Sequence, residues 1–521
     1  MNVLTEIMVQ AQRTPDAAAV VQLAEDPAIT ESVALTYQQL VTQAQNLAWK
    51  IEGETLPSSS VGIVMGNSTQ WVLADLALMI SKRVEVPVPL AFSADQAAHL
   101  LQGCALVLID EMGARKLQEW RTNGLELSAT VHSVALETQA AAHPMPDPVA
   151  CEPGADSVIK VIHTSGTTSK PKGVKIRRDG LSALVQALWQ RARRDDYQRY
   201  LVLVPLSLLI EQVTALYMPL TSGGAVVLPP ASLPPLGSPG AIADERLALI
   251  CSARPTAMTL TPALVEAIAH RAETLGPSEH QRIEQLFGTP RLPLLAAGGA
   301  PVDREVLFRL QQLGIDIFQG YGLSENSSVA TWNFRGANRL GSVGQALPHV
   351  ELRLAEDGEL CLRSSSLFAG YSNEDPSSCV IDAEGWLHTG DLASIDPDGF
   401  VSIIGRKKTM IITANGRNVS PEWLESAYRQ VPGVEQVIVF GDRQAFLGGL
   451  FIINAHARPA EVRAAIASFA REHLNEIEQI PHPVLIAHNE EVMGRLFTVT
   501  GRPRRTELSA FLKDSTVRIC A

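Results

Sequence analysis

Between residues 61 and 110 short apolar runs alternate with stretches of helical spacing, and this alternation restricts the fold more than any other feature of the chain. Residues 61–65, 84–89 and 105–110 read as strands, while 69–81 and 93–103 read as helices. Parallel neighbours in a sheet need a crossover of about a dozen residues, so the pattern predicts an α/β sheet of parallel strands joined by helices. The same texture extends in both directions. Residues 4–13 form a helix stopped at Thr14-Pro15-Asp16, and Thr36 caps a helix over 38–51. After a Pro- and Ala-rich connection at 140–156, strands are expected at 158–163, 200–204, 225–228, 257–260, 292–297 and 315–319, with helices at 180–194 and 302–313. The Pro-rich stretch 229–239 reads as a surface loop. From residue 342 short strands with turns at Asp357-Gly358, Glu384-Gly385 and Asp398-Gly399 predict a small β subdomain over 342–405. A third texture then begins. The expected fold is therefore α/β: a large N-terminal domain of parallel and mixed sheets with flanking helices over 1–405, followed by a small mobile C-terminal α/β lid over 406–521.

Composition removes several functions. With 43 Lys+Arg against 55 Asp+Glu the formal charge is −12, which repels phosphate backbones, and no basic stripe offsets it, so no nucleic-acid partner is expected. Six cysteines lie scattered without zinc spacing and read as reduced thiols of a cytoplasmic protein. Glu6, Arg13 and Asp16 interrupt any apolar leader. The most apolar run, 201–210, contains Pro205 and is far short of the roughly 20 residues of a spanning helix, so no membrane span is expected.

Chemistry concentrates in Thr164-Ser165-Gly166-Thr167-Thr168-Ser169-Lys170-Pro171-Lys172-Gly173-Val174, directly after the strand at 158–163. Five hydroxyls, two glycines and two lysines offer backbone N–H groups, O–H donors and positive charge to a polyphosphate. The order excludes a Walker loop, because the second glycine follows the lysine. With Gly298-Gly299-Ala300-Pro301, Gly320-Tyr321-Gly322-Leu323-Ser324-Glu325, His388-Thr389-Gly390-Asp391 and Gly405-Arg406-Lys407-Lys408, this segment resembles the adenylate-forming superfamily of acyl- and aryl-CoA synthetases, luciferases and nonribosomal-peptide adenylation domains. Residues 405–421 are most similar to the long-chain acyl-CoA synthetase branch.

The resemblance implies a nucleotide site. Thr164, Ser165, Gly166, Thr167, Thr168 and Lys172 would grip phosphate, while Gly298, Gly299, Ala300 and Pro301 would form the adenine-side turn. Gly320, Tyr321, Gly322, Leu323 and Ser324 would form a second nucleotide motif, in which a purine stacks on Tyr321 between two glycines. Glu325 is a hard oxygen ligand suited to Mg2+. Asp391, near a turn at a sheet edge, would accept the ribose hydroxyls, Arg406 would complete that contact, and Lys408 would be the hinge. Leu208, Leu209, Val213 and Val329 are candidates for an acyl pocket, although apolar residues of this kind also serve as plain core.

The implied reaction joins ATP and a small carboxylic acid into an acyl-adenylate with release of pyrophosphate, then transfers the acyl group to a thiol, either coenzyme A or the phosphopantetheine of a carrier protein acting in trans. Positioned cations, Lys172 and Arg502 with Mg2+ on Glu325, would supply most of the catalysis. Two alternatives stay open: an amide-forming ligase in which an amino acid intercepts the adenylate, and a catalytically impaired nucleotide-binding regulator.

Three departures from the family pattern matter. In Thr498-Val499-Thr500-Gly501-Arg502-Pro503-Arg504-Arg505 an arginine stands where the family has a lysine. A planar guanidinium does not reach between two anions as a compact ammonium does. Arg502 could serve with altered efficiency, Arg504 could replace it, or adenylation could be impaired. Ser169 replaces a glycine of the phosphate segment, and Leu208 stands where acyl-CoA synthetases typically carry histidine.

Overall fold

The computed structural model describes residues 2–24, 31–137, 157–164, 172–233, 236, 243, 245–372, 381–414, 417–444, 446–497, 501 and 503–513. The chain packs as two units, one of residues 1–300, 305–351 and 363–380, the other of 301–304, 352–362 and 381–521.

The first unit holds two sheets. In the six-stranded sheet the order is Thr130–Ser133, Leu106–Ile109, Ser60–Val64, Val84–Pro87, Val158–Thr164 and Lys172–Arg177, parallel throughout except for the last pair. The alternation read between residues 61 and 110 thus produces the predicted parallel strands, with Thr69–Ile80 and Ala94–Leu101 as the crossover helices. Both helices start at serine caps, Ser68 and Ser93, whose hydroxyls accept from the Trp71 and Gln96 N–H groups. The nine-stranded sheet runs from Gln345–Ala346 through Ser328–Trp332, Phe318–Leu323, Leu294–Gly298, Ala257–Leu260, Arg199–Leu201, Ala225–Leu228 and Ala18–Leu23 to Glu31–Thr36. Thr36 ends that last strand and closes a reciprocal capping box with Gln39, so the predicted helix is found at Tyr37–Glu54.

Differences from the sequence reading have physical reasons. Ala18–Leu23 was not predicted, because its parallel partner Ala225–Leu228 lies far along the chain. The helix expected over 180–194 stops at Trp189, and a separate short turn of helix forms at Arg194–Tyr197, where the Asp196 side chain caps the Arg193 N–H. Within the Pro-rich stretch, Leu236 is buried and its N–H donates to the Leu203 carbonyl at 2.9 Å, so this part of the expected surface loop is anchored in the core.

Beneath the six-stranded sheet lies a buried ionic cluster. The Lys160 ammonium bonds to both Asp75 and Glu85, the Tyr217 hydroxyl donates to Asp75 Oδ1 at 2.9 Å, and Gln212 donates to Glu85 Oε1 at 2.9 Å. All five side chains are buried. Burial raises the Glu85 carboxyl to about 8 despite the lysine.

The second unit contains most of the four-stranded sheet Val350–Leu354, Glu359–Ser364, Leu387–Ile395 and Val401–Arg406, and all of a three-stranded sheet Val434–Phe440, Gly448–Ile453 and Pro483–Ala487. Helices Pro421–Tyr428 and Pro459–His473 start at prolines, which lack the N–H that a first helical turn leaves unpaired. Leu424, Tyr428, Phe451, Ile466 and Leu485 form part of its core. Among the described residues, no helix is long and apolar enough to cross a membrane.

Candidate nucleotide site

The segment read from sequence as a phosphate grip begins where Val158–Thr164 ends and finishes in Lys172–Arg177, and these two strands pair antiparallel in the register Thr164↔Lys172. Thr164 and Lys172 are therefore opposite each other at the mouth of a β-hairpin, whereas a Walker loop leads into a helix. Ser165, Gly166, Thr167 and Thr168 lie outside the described residues, as does the Thr164 side chain. Burial, then the neighbouring His99, holds the His163 imidazole down at about 4. At neutral pH it brings no charge to the hairpin.

A second segment locks onto this hairpin. Gly173 approaches it so closely that a Cβ there would lie 2.4 Å from Ser372 Oγ, and the Ser372 N–H donates to the Gly173 carbonyl at 2.7 Å. Val174 pairs with Tyr371, and the Lys175 N–H donates to the Gly370 carbonyl at 3.0 Å. The Phe368 N–H in turn donates to the Glu325 carbonyl at 2.9 Å. Lys172 and Glu325 are thereby linked through one ring: the Lys172 ammonium sits 5.3 Å from the centroid of Tyr371, whose hydroxyl donates to Glu325 Oε1 at 2.8 Å. Sequence reasoning did not single out Tyr371, although it directly follows Gly370.

Glu325 is half-buried in a single helical turn, Ser324–Asn326, after strand Phe318–Leu323. That strand carries Gly320, Tyr321, Gly322 and Leu323, so the motif is extended with a bulge between Tyr321 and Gly322. At Gly322 a Cβ would meet the Ser328 carbonyl oxygen at 1.9 Å, which makes glycine obligatory there. Gly298 closes the neighbouring parallel strand in register with Gly320, and Gly299 follows at φ +79°, a left-handed turn leading into Ala300 and Pro301. The two glycine motifs therefore lie side by side at the ends of adjacent strands.

Leu209, Val213 and Val329 are buried and Leu208 is half-buried. Leu208 precedes Leu209–Glu211, a turn that packs against Ser328–Trp332 and continues into a π-helical stretch, Gln212–Tyr217. Burial pushes the adjacent Glu211 carboxyl up to about 8, partly offset by the Tyr200 hydroxyl at 3.2 Å.

In the second unit Asp391 and Arg406 are opposite residues on paired strands, and Arg406 Nε lies 2.7 Å from Asp391 Oδ1. The strand of Asp391 is internal to its sheet, with neighbours on both sides, so the expected sheet-edge position is corrected. What gives Asp391 its setting is Gly390 at φ +73°. Lys408 is exposed in a turn closed by the Thr409 and Met410 N–H groups on the Arg406 carbonyl. Arg502 lies outside the described residues; its flanks are tied by the Phe497↔Pro503 bridge and by the Arg504 N–H on the Leu496 carbonyl at 2.7 Å. Arg505, at the end of that signature, lies 2.8 Å from Glu425.

The AMP-binding enzyme family model matches residues 7–372, and the AMP-binding enzyme C-terminal domain matches residues 408–484. The chain belongs to the AMP-binding enzyme family. This is the adenylate-forming superfamily that the motifs resemble. A long-chain-fatty-acid–CoA ligase of Mycobacterium tuberculosis, FadD15, is 27% identical over 455 residues, 74% of this chain and 72% of the relative. A long-chain-fatty-acid–CoA ligase of Gallus gallus, ACSBG2, is 28% identical over 345 residues, 56% of this chain and 44% of its own length. Among solved structures, the O-succinylbenzoate coenzyme A synthetase of Bacillus subtilis in complex with AMP superposes with a TM-score of 0.74 at 20% identity, covering 98% of each chain. ATP-bound MatB from Rhodopseudomonas palustris gives 0.74 at 20% identity over 99% of both chains. These likenesses carry the α/β fold of the adenylate-forming enzymes.

Proposed function

We propose that this AMP-binding enzyme is an acid–thiol ligase that activates an apolar carboxylic acid and passes it to coenzyme A. The observation that carries the reading is the Lys172–Tyr371–Glu325 linkage, a cation and a hard carboxylate held by one ring beside the phosphate-gripping hairpin. In the first step a carboxylate oxygen attacks the α-phosphorus of ATP and the bond to the β-phosphate oxygen breaks, releasing pyrophosphate. In the second step the thiol sulfur attacks the acyl carbon, the bond to AMP breaks, and the thiol proton passes to solvent. Two anions must meet in the first step, so fixed positive charge at Lys172 and Arg502 lowers its barrier. Tyr321 would stack on adenine, and Asp391 with Arg406 would hold the ribose.

Glu325 fits Mg2+. It is one half-buried carboxylate, a hard oxygen donor of the kind that holds an ion which keeps most of its waters and leans on substrate phosphates. When bound there, the ion would neutralise phosphate charge. Residues 406–521 act as the lid, pivoting at Lys408. Coenzyme A is favoured as acceptor because the fatty-acid relatives are named as CoA ligases. Leu208, Leu209, Val213 and Val329 suit an apolar acyl group.

Pyrophosphate exchange into ATP across a panel of carboxylic acids tests the proposal. Exchange with medium- or long-chain acids is expected, and a flat response to every acid while ATP still binds sinks it. Adding coenzyme A or single amino acids to the best acid then separates a thioester from an amide by product mass. Arg502→Ala is expected to slow exchange at least tenfold with ATP binding little changed; an unaltered rate would remove Arg502 from the catalytic set.

A further inference from the structure

Glu359 lies apart in sequence from every nucleotide motif, yet its carboxylate bonds to a residue next to each member of the Asp391–Arg406 pair. Oε1 accepts the Gly390 N–H at 2.8 Å, from the residue just before Asp391. Oε2 accepts the Lys407 ammonium at 3.0 Å, from the residue just after Arg406. Lys407 also pairs with Asp357, and its own N–H donates to the Gly390 carbonyl at 2.9 Å. His388 Nδ1 lies 3.3 Å from Glu359 Oε2, and His388 Nε2 lies 3.6 Å from Asp382. The Glu359 side chain is only 8% exposed, and the pairing of its strand with Leu387–Ile395 shifts register between Glu359 and Cys361.

A buried carboxylate without partners would be a liability, and burial alone raises its proton affinity. Lys407, the Gly390 N–H and His388 outweigh that and hold Glu359 below the usual range. A side chain kept ionised at such a position, bonded to the residue next to each member of a pair, fixes the register of that pair. From this geometry we infer that Glu359 is a positioning residue for ribose recognition, clamping Gly390 and Lys407 so that Asp391 and Arg406 present one fixed face to the vicinal hydroxyls.

The inference rests on the proposed role of Asp391 at the ribose, and the test separates the two. The full chain is titrated with ATP and with 2′,3′-dideoxy-ATP, which lacks both hydroxyls. Glu359→Gln keeps an acceptor for Gly390 but loses the charge that holds Lys407, and Lys407→Met removes the other partner. Each variant is expected to weaken ATP binding about tenfold, the scale of one charge-assisted hydrogen bond, and to leave dideoxy-ATP binding within about twofold of the native protein. Equal losses on both nucleotides, or no loss on ATP, would overturn the clamp. Should Glu359→Gln fail to fold, Lys407→Met on the exposed partner decides alone. Asp391→Ala is the control: if it loses ATP and dideoxy-ATP alike, the ribose reading of Asp391 has failed, and the clamp falls with it.

Discussion

Tyr371 serves two neighbours with different parts of one side chain, its ring face for Lys172 and its hydroxyl for Glu325. Tyr371→Phe keeps the face and removes only the hydrogen bond. The Mg2+ concentration for half-maximal pyrophosphate exchange should then rise about three- to tenfold, while the rate at saturating Mg2+ stays near native. A magnesium titration of the variant checks this, and an unchanged midpoint would mean that Glu325 is oriented by something else. At this scale the sequence was informative wherever chemistry is local. Gly320, Gly322 and Glu325 sit within one strand and the turn after it. Tyr371 was not legible, because it reaches Lys172 through the Val174↔Tyr371 bridge between segments far apart in the chain. Glu359 was missed for a similar reason: it acts through two backbone neighbours that only the folded sheet brings to it.

Elements differ in how well a one-dimensional pattern describes them. The parallel strands between residues 61 and 110 follow from apolar runs and capped crossovers, and they form where expected. The π-helical stretch Gln212–Tyr217 has no such signature. Its Gln212 and Tyr217 turn into the Lys160–Asp75–Glu85 cluster, so its shape answers to charges on two strands and a helix elsewhere in the unit. Lys160→Met would leave two buried carboxylates without their cation, and a loss of about 3–5 kcal/mol in unfolding free energy is expected. Denaturant titration measures it. A loss under 1 kcal/mol would show that protonation of Glu85, already displaced to about 8, relieves the cluster without the lysine.

For the whole molecule, pH acts through groups of opposite sign. His163 and His349 are pushed by burial to about 4, from an ordinary 6.5. The unfolded chain binds their protons below 6.5 and the folded chain does not until about 4. Their contribution is therefore complete above 6.5 and is lost as pH falls through that window. Glu211 and Glu425, raised by burial to about 8 and about 7, contribute fully at acid pH and lose their share as pH rises through those values. Neither ring nitrogen of His349 has a hydrogen-bond partner among the described residues, so His349→Leu strands no polar group. That variant should reduce the drop in unfolding free energy between pH 7 and pH 4.5 by about 2 kcal/mol. Parallel denaturation series at the two pH values would reveal it, and an unchanged drop would mean that His349 titrates normally.

The nine-stranded sheet has a further consequence, in time. Val20 pairs with Val226, 226 − 20 = 206 positions later. At synthesis speeds of roughly 5–20 residues per second, the ribosome takes on the order of 10–40 s to deliver that partner. Throughout that interval the hairpin of Ala18–Leu23 and Glu31–Thr36 has one complete edge and one apolar edge waiting. A nascent chain of this design is open to mispairing at that edge for as long as Ala18–Leu23 waits for Ala225–Leu228.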